Sequence, residues 1–205
     1  VPMEAKSFAV GFRAEHKQEM INQSQYGEKY PKELGAAAYK LTAKIPGGRG
    51  VYTFCMCPGG YVVNASSEEG MLAVNGMSYH DRAGQNANSA VIVTVFPEDF
   101  EEKHPLAGIA FQRKLEKAAY EAGNGKIPVQ RYGDFYEEVT GQKKEEEKPE
   151  ESDLMPCMKG VYQYASLKSI LPEEFNQALV SGIEEFGRKI KGYNAPDTVL
   201  SAVES

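Results

Sequence analysis

The chain has 205 residues, 41% of them hydrophobic, and its 29 acidic and 23 basic side chains leave a net charge of −6. A chain of this length buries roughly 70% of the surface its unfolded form exposes, so a core needs no staples. The acidic balance argues against a basic nucleic-acid face, no apolar run reaches the roughly 18 to 20 residues of a membrane span, and three cysteines do not make a disulfide framework.

The start, "VPMEAKSFAVGF", has neither an initiator Met nor the n-region, h-region and cleavage site of a signal peptide. Phe8, Val10 and Phe12 then alternate with smaller or polar residues, which predicts a first strand over 6–15. "EHKQEMINQSQ" predicts a short helix ended near Tyr26-Gly27. Tyr39, Leu41, Ala43 and Ile45 share one face of a second strand, "GGRG" turns the chain, and "VYTFCMC" is a third strand. The Pro58-Gly59-Gly60 turn leads into "YVVNAS", and the two strands read as a hairpin. "MLAVNGMS" is a short fifth strand, and "SAVIVTVFP" is the strongest strand signal in the chain.

Helices follow. Pro105 and Gly123 bracket a helix with two stripes: Leu106, Ile109, Ala110 and Arg113, and beside it Phe111, Leu115, Ala118 and Ala122. "VQRYGDFYEEV" fits neither period well. The charged run over 141–152 has no apolar face and predicts a mobile surface loop. "LPEEFNQALVSGIEEFGRKI" is a helix with Glu173 and Glu174 in its first turn and Phe175, Leu179, Ile183 and Phe186 on one face. "DTVLSAVES" reads as a strand whose partner or continuation is missing, so both ends look cut from a longer protein. Strands first and helices later predict the α+β class, a largely antiparallel sheet with flanking helices in one domain over 1–205.

Cys55 and Cys57 lie one residue apart. On a regular strand they share a face, roughly 6.5 to 7 Å apart, too far for an undistorted disulfide. Cys157, His16, His80 and His104 supply no tight second pair of ligands, so no metal is expected. The thiols are either small buried hydrophobes or redox groups beside a cofactor. The stretch from Val74 to Ala90 carries Asn75, Ser78, Asn86 and Asn88 between two strands, where binding groups gather. Asn and Gly also serve tight turns, so a plain connection is the favoured reading of the residues alone. His80-Asp81 lacks a Ser or Cys partner for a triad. No G-x-G-x-x-G stands between a strand and a helix, "GNGKIP" has only its first two glycines, and there is no P-loop Lys.

The segments "PMEAKSFAVGFRAEH", "GRGVYTFCMCPGGYVVNASSEEGMLAVNGMS", "NANSAVIVTV", "PLAGIAFQRKLEKAA" and "FGRKIKGY", in this order, resemble a bacterial family of FAD-dependent, NAD(FAD)-utilising dehydrogenases over essentially the whole chain. Two departures are His16-Lys17-Gln18, where the family reads His-Pro-Gln, and the charged insert at 143–151. The resemblance implies a full-length protein whose Rossmann domain binds FAD, with this chain inserted as the cap over the flavin. It places Cys55 and Cys57 as candidate catalytic residues. Pro58, Gly59, Gly60, Asn75, Ser78, Asn86 and Asn88 become candidate contacts to the cofactor or a small-molecule substrate. On this reading "CMCPGG" is a lip facing the flavin, since Gly admits close approach, and the chain alone binds no FAD and is inactive. A cytoplasmic setting is expected, with no membrane and no nucleic acid. The competing function is a non-catalytic interaction module with inert cysteines.

Overall fold

A computed structural model describes residues 2–144 and 154–205. Among them, ten strands and four α-helices form an α+β domain. The strands are β1 (Phe8–Lys17), β2 (Thr42–Lys44), β3 (Gly50–Cys57), β4 (Gly60–Asn64), β5 (Val74–Ser78), β6 (Asn86–Val95), β7 (Ile127–Arg131), β8 (Met158–Lys159), β9 (Tyr162–Tyr164) and β10 (Val199–Glu204). The helices are α1 (Gln18–Tyr26), α2 (Ala107–Ala122), α3 (Tyr132–Thr140) and α4 (Glu173–Gly187). Seven strands make one sheet in the order β2-β3-β6-β1-β10-β7-β9, and β5-β4-β8 make a second. Every pairing is antiparallel except β7 with β9 and β4 with β8.

The large sheet is covered on both faces. On one, α4 buries Phe175, Leu179, Ile183 and Phe186, each worth about 1.5 to 3 kcal/mol relative to exposure. Gly182 lets that helix press its backbone against Val51 of β3, and Phe135 of α3 meets Phe12 of β1 edge-on at 5.4 Å. On the other face lies the small sheet, where Gly76 of β5 rests on the Arg13 and Asn88 side chains. Covering both faces explains the unbroken apolar run in β6, whose residues are buried at nearly every position.

Several elements differ from expectation. β3 and β4 do not form a hairpin: the chain turns at Pro58-Gly59, but β4 leaves for the small sheet. β10 has two partners, β1 and β7, and lies inside the sheet. "VQRYGDFYEEV" divides into β7 and α3, and regular pairing in the second strand is limited to Thr42–Lys44. On α2 only one stripe serves the core: Leu115 is buried and Phe111, Ala118 and Ala122 pack against it, while Leu106 and Ile109 face outward. Most of the charged run, 145–152, lies outside the described residues. Just before it, Gly141 closes α3 in the left-handed conformation, and Lys144 pairs with Glu184 and sits over the Tyr132 and Tyr136 rings.

Candidate functional site

Between the two sheets lies a polar layer centred on Arg13, which is fully buried. Its Nε donates to Asn88 Oδ1 at 2.7 Å. Nη1 donates to Glu204 Oε1 and Oε2 at 3.0 and 2.9 Å and reaches Asn75 Oδ1 at 3.4 Å. Nη2 donates to the Cys55 carbonyl and lies 3.7 Å from Cys57 Sγ. The Cys57 thiol in turn donates to the Cys55 carbonyl at 3.4 Å. A guanidinium has five N–H donors, and here each has a partner within the chain.

Two β-bulges assemble this cluster. Along β3, residues 51 to 54 pair with 93 to 90 of β6, but Cys57 then pairs with Asn88, so one extra residue sits between Phe54 and Cys57. A regular strand would put Cys57 on the face of Val51 and Thr53, toward α4. The bulge moves it to the opposite face, beside Arg13, because side chains alternate with period two. Met56 packs against the core. Cys55, inside the bulge, adopts φ +42 and is exposed. β10 does the same on the other side: Ser201 pairs with Arg13 but Glu204 pairs with Gly11, again one residue too many. That shift brings Glu204 onto the Arg13 face.

The electrostatics follow from burial. Burial pushes the Glu204 carboxyl up, and Arg13 opposes it. The Arg13–Glu204 attraction is largely offset by desolvation, while removing one partner alone costs about 3 to 5 kcal/mol. Partial desolvation raises the thiol of the exposed Cys55, with Arg13 opposing and Glu204 and Cys57 adding to the rise. Asn88 is buried and its Nδ2 has no partner among the described residues.

A second cluster stands two residues along β1. Glu15 is fully buried, and its Oε2 accepts from Asn86 Nδ2 and from the Cys157 backbone N–H, both at 2.9 Å. Burial raises its pKa above the ordinary carboxylate range, against these two hydrogen bonds and the charges of Arg13 and Arg131. Burial also raises the Cys157 thiol, and Glu15 adds to it.

The anticipated residues therefore fall into three groups. Cys55, Cys57, Asn75 and Asn88 converge on Arg13. Asn86 serves Glu15 and the Met155 carbonyl. Pro58, Gly59 and Gly60 form the turn beyond Cys57, and Ser78 of β5 braces it. That turn is buried rather than a free lip. Gly59 N–H donates to Gln18 Oε1 at 2.6 Å, Gly84 N–H donates to the Gly59 carbonyl at 3.0 Å, and Ser78 Oγ donates to the Pro58 carbonyl at 2.7 Å. The close approach that glycine permits is made by the chain's own 82–84 backbone. What stands open beside the cluster is Phe54, 59% exposed, with Cys55.

Sequence reasoning missed Arg13, Glu15 and Glu204. The available signal was a pair of charges at i and i+2 inside the otherwise apolar strand "FAVGFRAEH", since a charged residue facing inward needs a partner. Among the described residues no cluster of three or more His, Cys, Asp or Glu is placed to hold a metal. Among the described residues no helix is long and apolar enough to cross a membrane.

The family model described as "FAD-dependent protein, C-terminal domain-like" matches residues 7–205. A protein of Clostridium beijerinckii, described only as uncharacterised, is 48% identical over 212 aligned positions. That match takes in 100% of this chain and 38% of the relative, so the chain spans well under half of the relative's length. The chain belongs to the FAD-dependent protein C-terminal domain-like family.

Among the described residues, no helix opens from a loop of the kind that cradles the FAD diphosphate. A diphosphate is held by a glycine-rich loop opening a helix. Here the residues before the four helices are Lys17, Leu106, Arg131 and Pro172, none in such a loop.

Proposed function

We propose that this domain is the substrate-side cap of a FAD-dependent oxidoreductase of the dehydrogenase class. Its Phe54–Cys57 face turns toward the flavin carried by a Rossmann domain of the same polypeptide. The flavin, when bound there, supplies the redox chemistry; this chain supplies one wall of the pocket for a small-molecule substrate. Such pockets favour domain interfaces, and family membership motivates the partner.

The observation that carries the reading is the bulge. A fully buried arginine spends a donor on the Cys55 carbonyl, and the thiol stands exposed beside an exposed Phe54. A structural cysteine needs neither the left-handed backbone nor the exposure. In this arrangement Cys55 and Phe54 meet the partner, Cys57 lies behind them on Arg13, and Asn75 and Asn88 hold Arg13 in place. Ser78 fixes the Pro58–Gly60 turn that ends β3, and Asn86 keeps Glu15 in the adjoining layer.

The test is protection. Cys55 should label with a maleimide at a moderate rate in the 205-residue chain and markedly more slowly in the full-length, flavin-loaded protein. Equal labelling in both would remove the cap assignment and favour an interaction module with an idle thiol.

A further inference from the structure

We propose that Arg13 is a positioning residue for the two thiols: it holds the β3 bulge that turns Cys57 away from the core face and stands Cys55 in the open. The inference rests on the cap reading for its functional meaning, because only there does the placement of the thiols matter.

All the N–H groups of Arg13 are occupied by Asn88, Glu204, Asn75, Cys55 and Cys57. A guanidinium so saturated has no donor left for a substrate carboxylate or phosphate, so its work is on the chain itself. Its contact with β3 falls at the irregularity. Nη2 binds the carbonyl of Cys55, the residue with φ +42, within the one-residue insertion between Phe54 and Cys57. A non-glycine residue holds that conformation only when its surroundings fix it. Without the anchor, the strand regains regular pairing by sliding one residue, and Cys57 returns to the face of Val51 and Thr53.

The anchor is itself held. Glu204 takes Nη1 in a two-oxygen contact, made possible by the matching insertion in β10. Gly76 lies against the guanidinium so closely that a Cβ there would overlap both Nη2 and Asn88 Oδ1. Arg13 thus has one available position, and that position serves the Cys55 carbonyl.

The test uses the 205-residue chain, iodoacetamide under native conditions and peptide mapping of the three cysteines. Arg13→Lys keeps the charge and loses the fork. It should slow labelling of Cys57 about fivefold or more as the side chain turns toward the core, with Cys157 unchanged. Adding Cys55→Gly, which tolerates the left-handed backbone, should restore Cys57 labelling. Gly76→Ala displaces the guanidinium without touching Arg13 and should give the same loss, so the test survives if Arg13→Lys does not fold. Unchanged Cys57 labelling in Gly76→Ala overturns the proposal. So does a parallel rise at Cys157 and Cys57 without rescue by glycine, which marks general loosening. No flavin enters this measurement, so its result stands apart from the protection experiment.

Discussion

The carbonyl oxygen of Arg82 fills the space where a side chain on Gly59 would project. Gly59 also has φ +49, a conformation that costs any L-residue energy. Gly59→Ala must therefore push the 82–84 segment away and lose the Gly84 N–H bond to the Gly59 carbonyl. The variant should be less stable by more than about 1 kcal/mol, read as a lower urea midpoint with an unchanged slope. A midpoint equal to wild type would mean that the turn has slack that the packing does not display.

The class and several elements were legible because their signals are local. α1 stops at Gly27, and α4 buries the four residues its period marked. The continuous apolar run of β6 became the strand covered on both faces. The polar layer was not legible, because it depends on pairings between distant segments. Arg13 and Glu204 are 191 positions apart, and each reaches the shared face only through register. The two bulges invert the faces that strict alternation assigns to Cys57 and Glu204. The same limit explains β4: a Pro-Gly-Gly turn specifies that the chain reverses, not which sheet receives it. β10 looked partnerless because both its neighbours lie far away in sequence.

His16 is expected to make the domain sensitive to mild acid. Its ring is buried against Tyr193, with centroids 4.2 Å apart. Nε2 donates to the Tyr193 carbonyl at 2.8 Å, since a carbonyl can only accept. Burial lowers its pKa to about 4. Above the ordinary histidine value near 6.5 neither state is protonated. As the pH falls from there toward 4, the unfolded chain takes up a proton that the folded chain refuses. Stability is therefore lost on acidification, by about 3 kcal/mol across the window. Glu15 and Glu204 act the other way: their pKa values are raised in the fold, so their contribution favours folding at low pH and fades as pH rises through the raised values. Urea midpoints taken from about pH 7 down to about pH 4.5 should fall less steeply in His16→Gln than in wild type. Parallel profiles would show that His16 does not titrate in this way.

Cys55 offers a direct reading of backbone strain. At φ +42 a Cβ costs about 1 to 2 kcal/mol relative to glycine, and a β-branched residue fares worse. Cys55→Gly should hold or raise stability, and Cys55→Val should lower it, although valine is the better strand former by propensity. The inverse order, valine above glycine, would indicate a regular strand at this position and would remove the bulge from the account of the site.

The last expectation concerns the cofactor. The family is one of FAD-dependent proteins, yet the residues preceding each of the four described helices form no glycine-rich loop, and a diphosphate without a helix N-terminus loses its main anion contacts. The exposed Phe54 and Cys55 offer a surface for a planar ring. Stacking on one aromatic side chain is worth about 0.5 to 1.5 kcal/mol, far below the roughly 8 kcal/mol of a micromolar complex. The 205-residue chain titrated with FAD should leave flavin fluorescence unchanged through the micromolar range, and it should purify colourless. The same titration on a longer polypeptide that includes the proposed Rossmann domain should saturate. Saturable micromolar binding by the short chain would mean that this domain carries a cradle of its own, and the division of labour proposed for the two parts would be wrong.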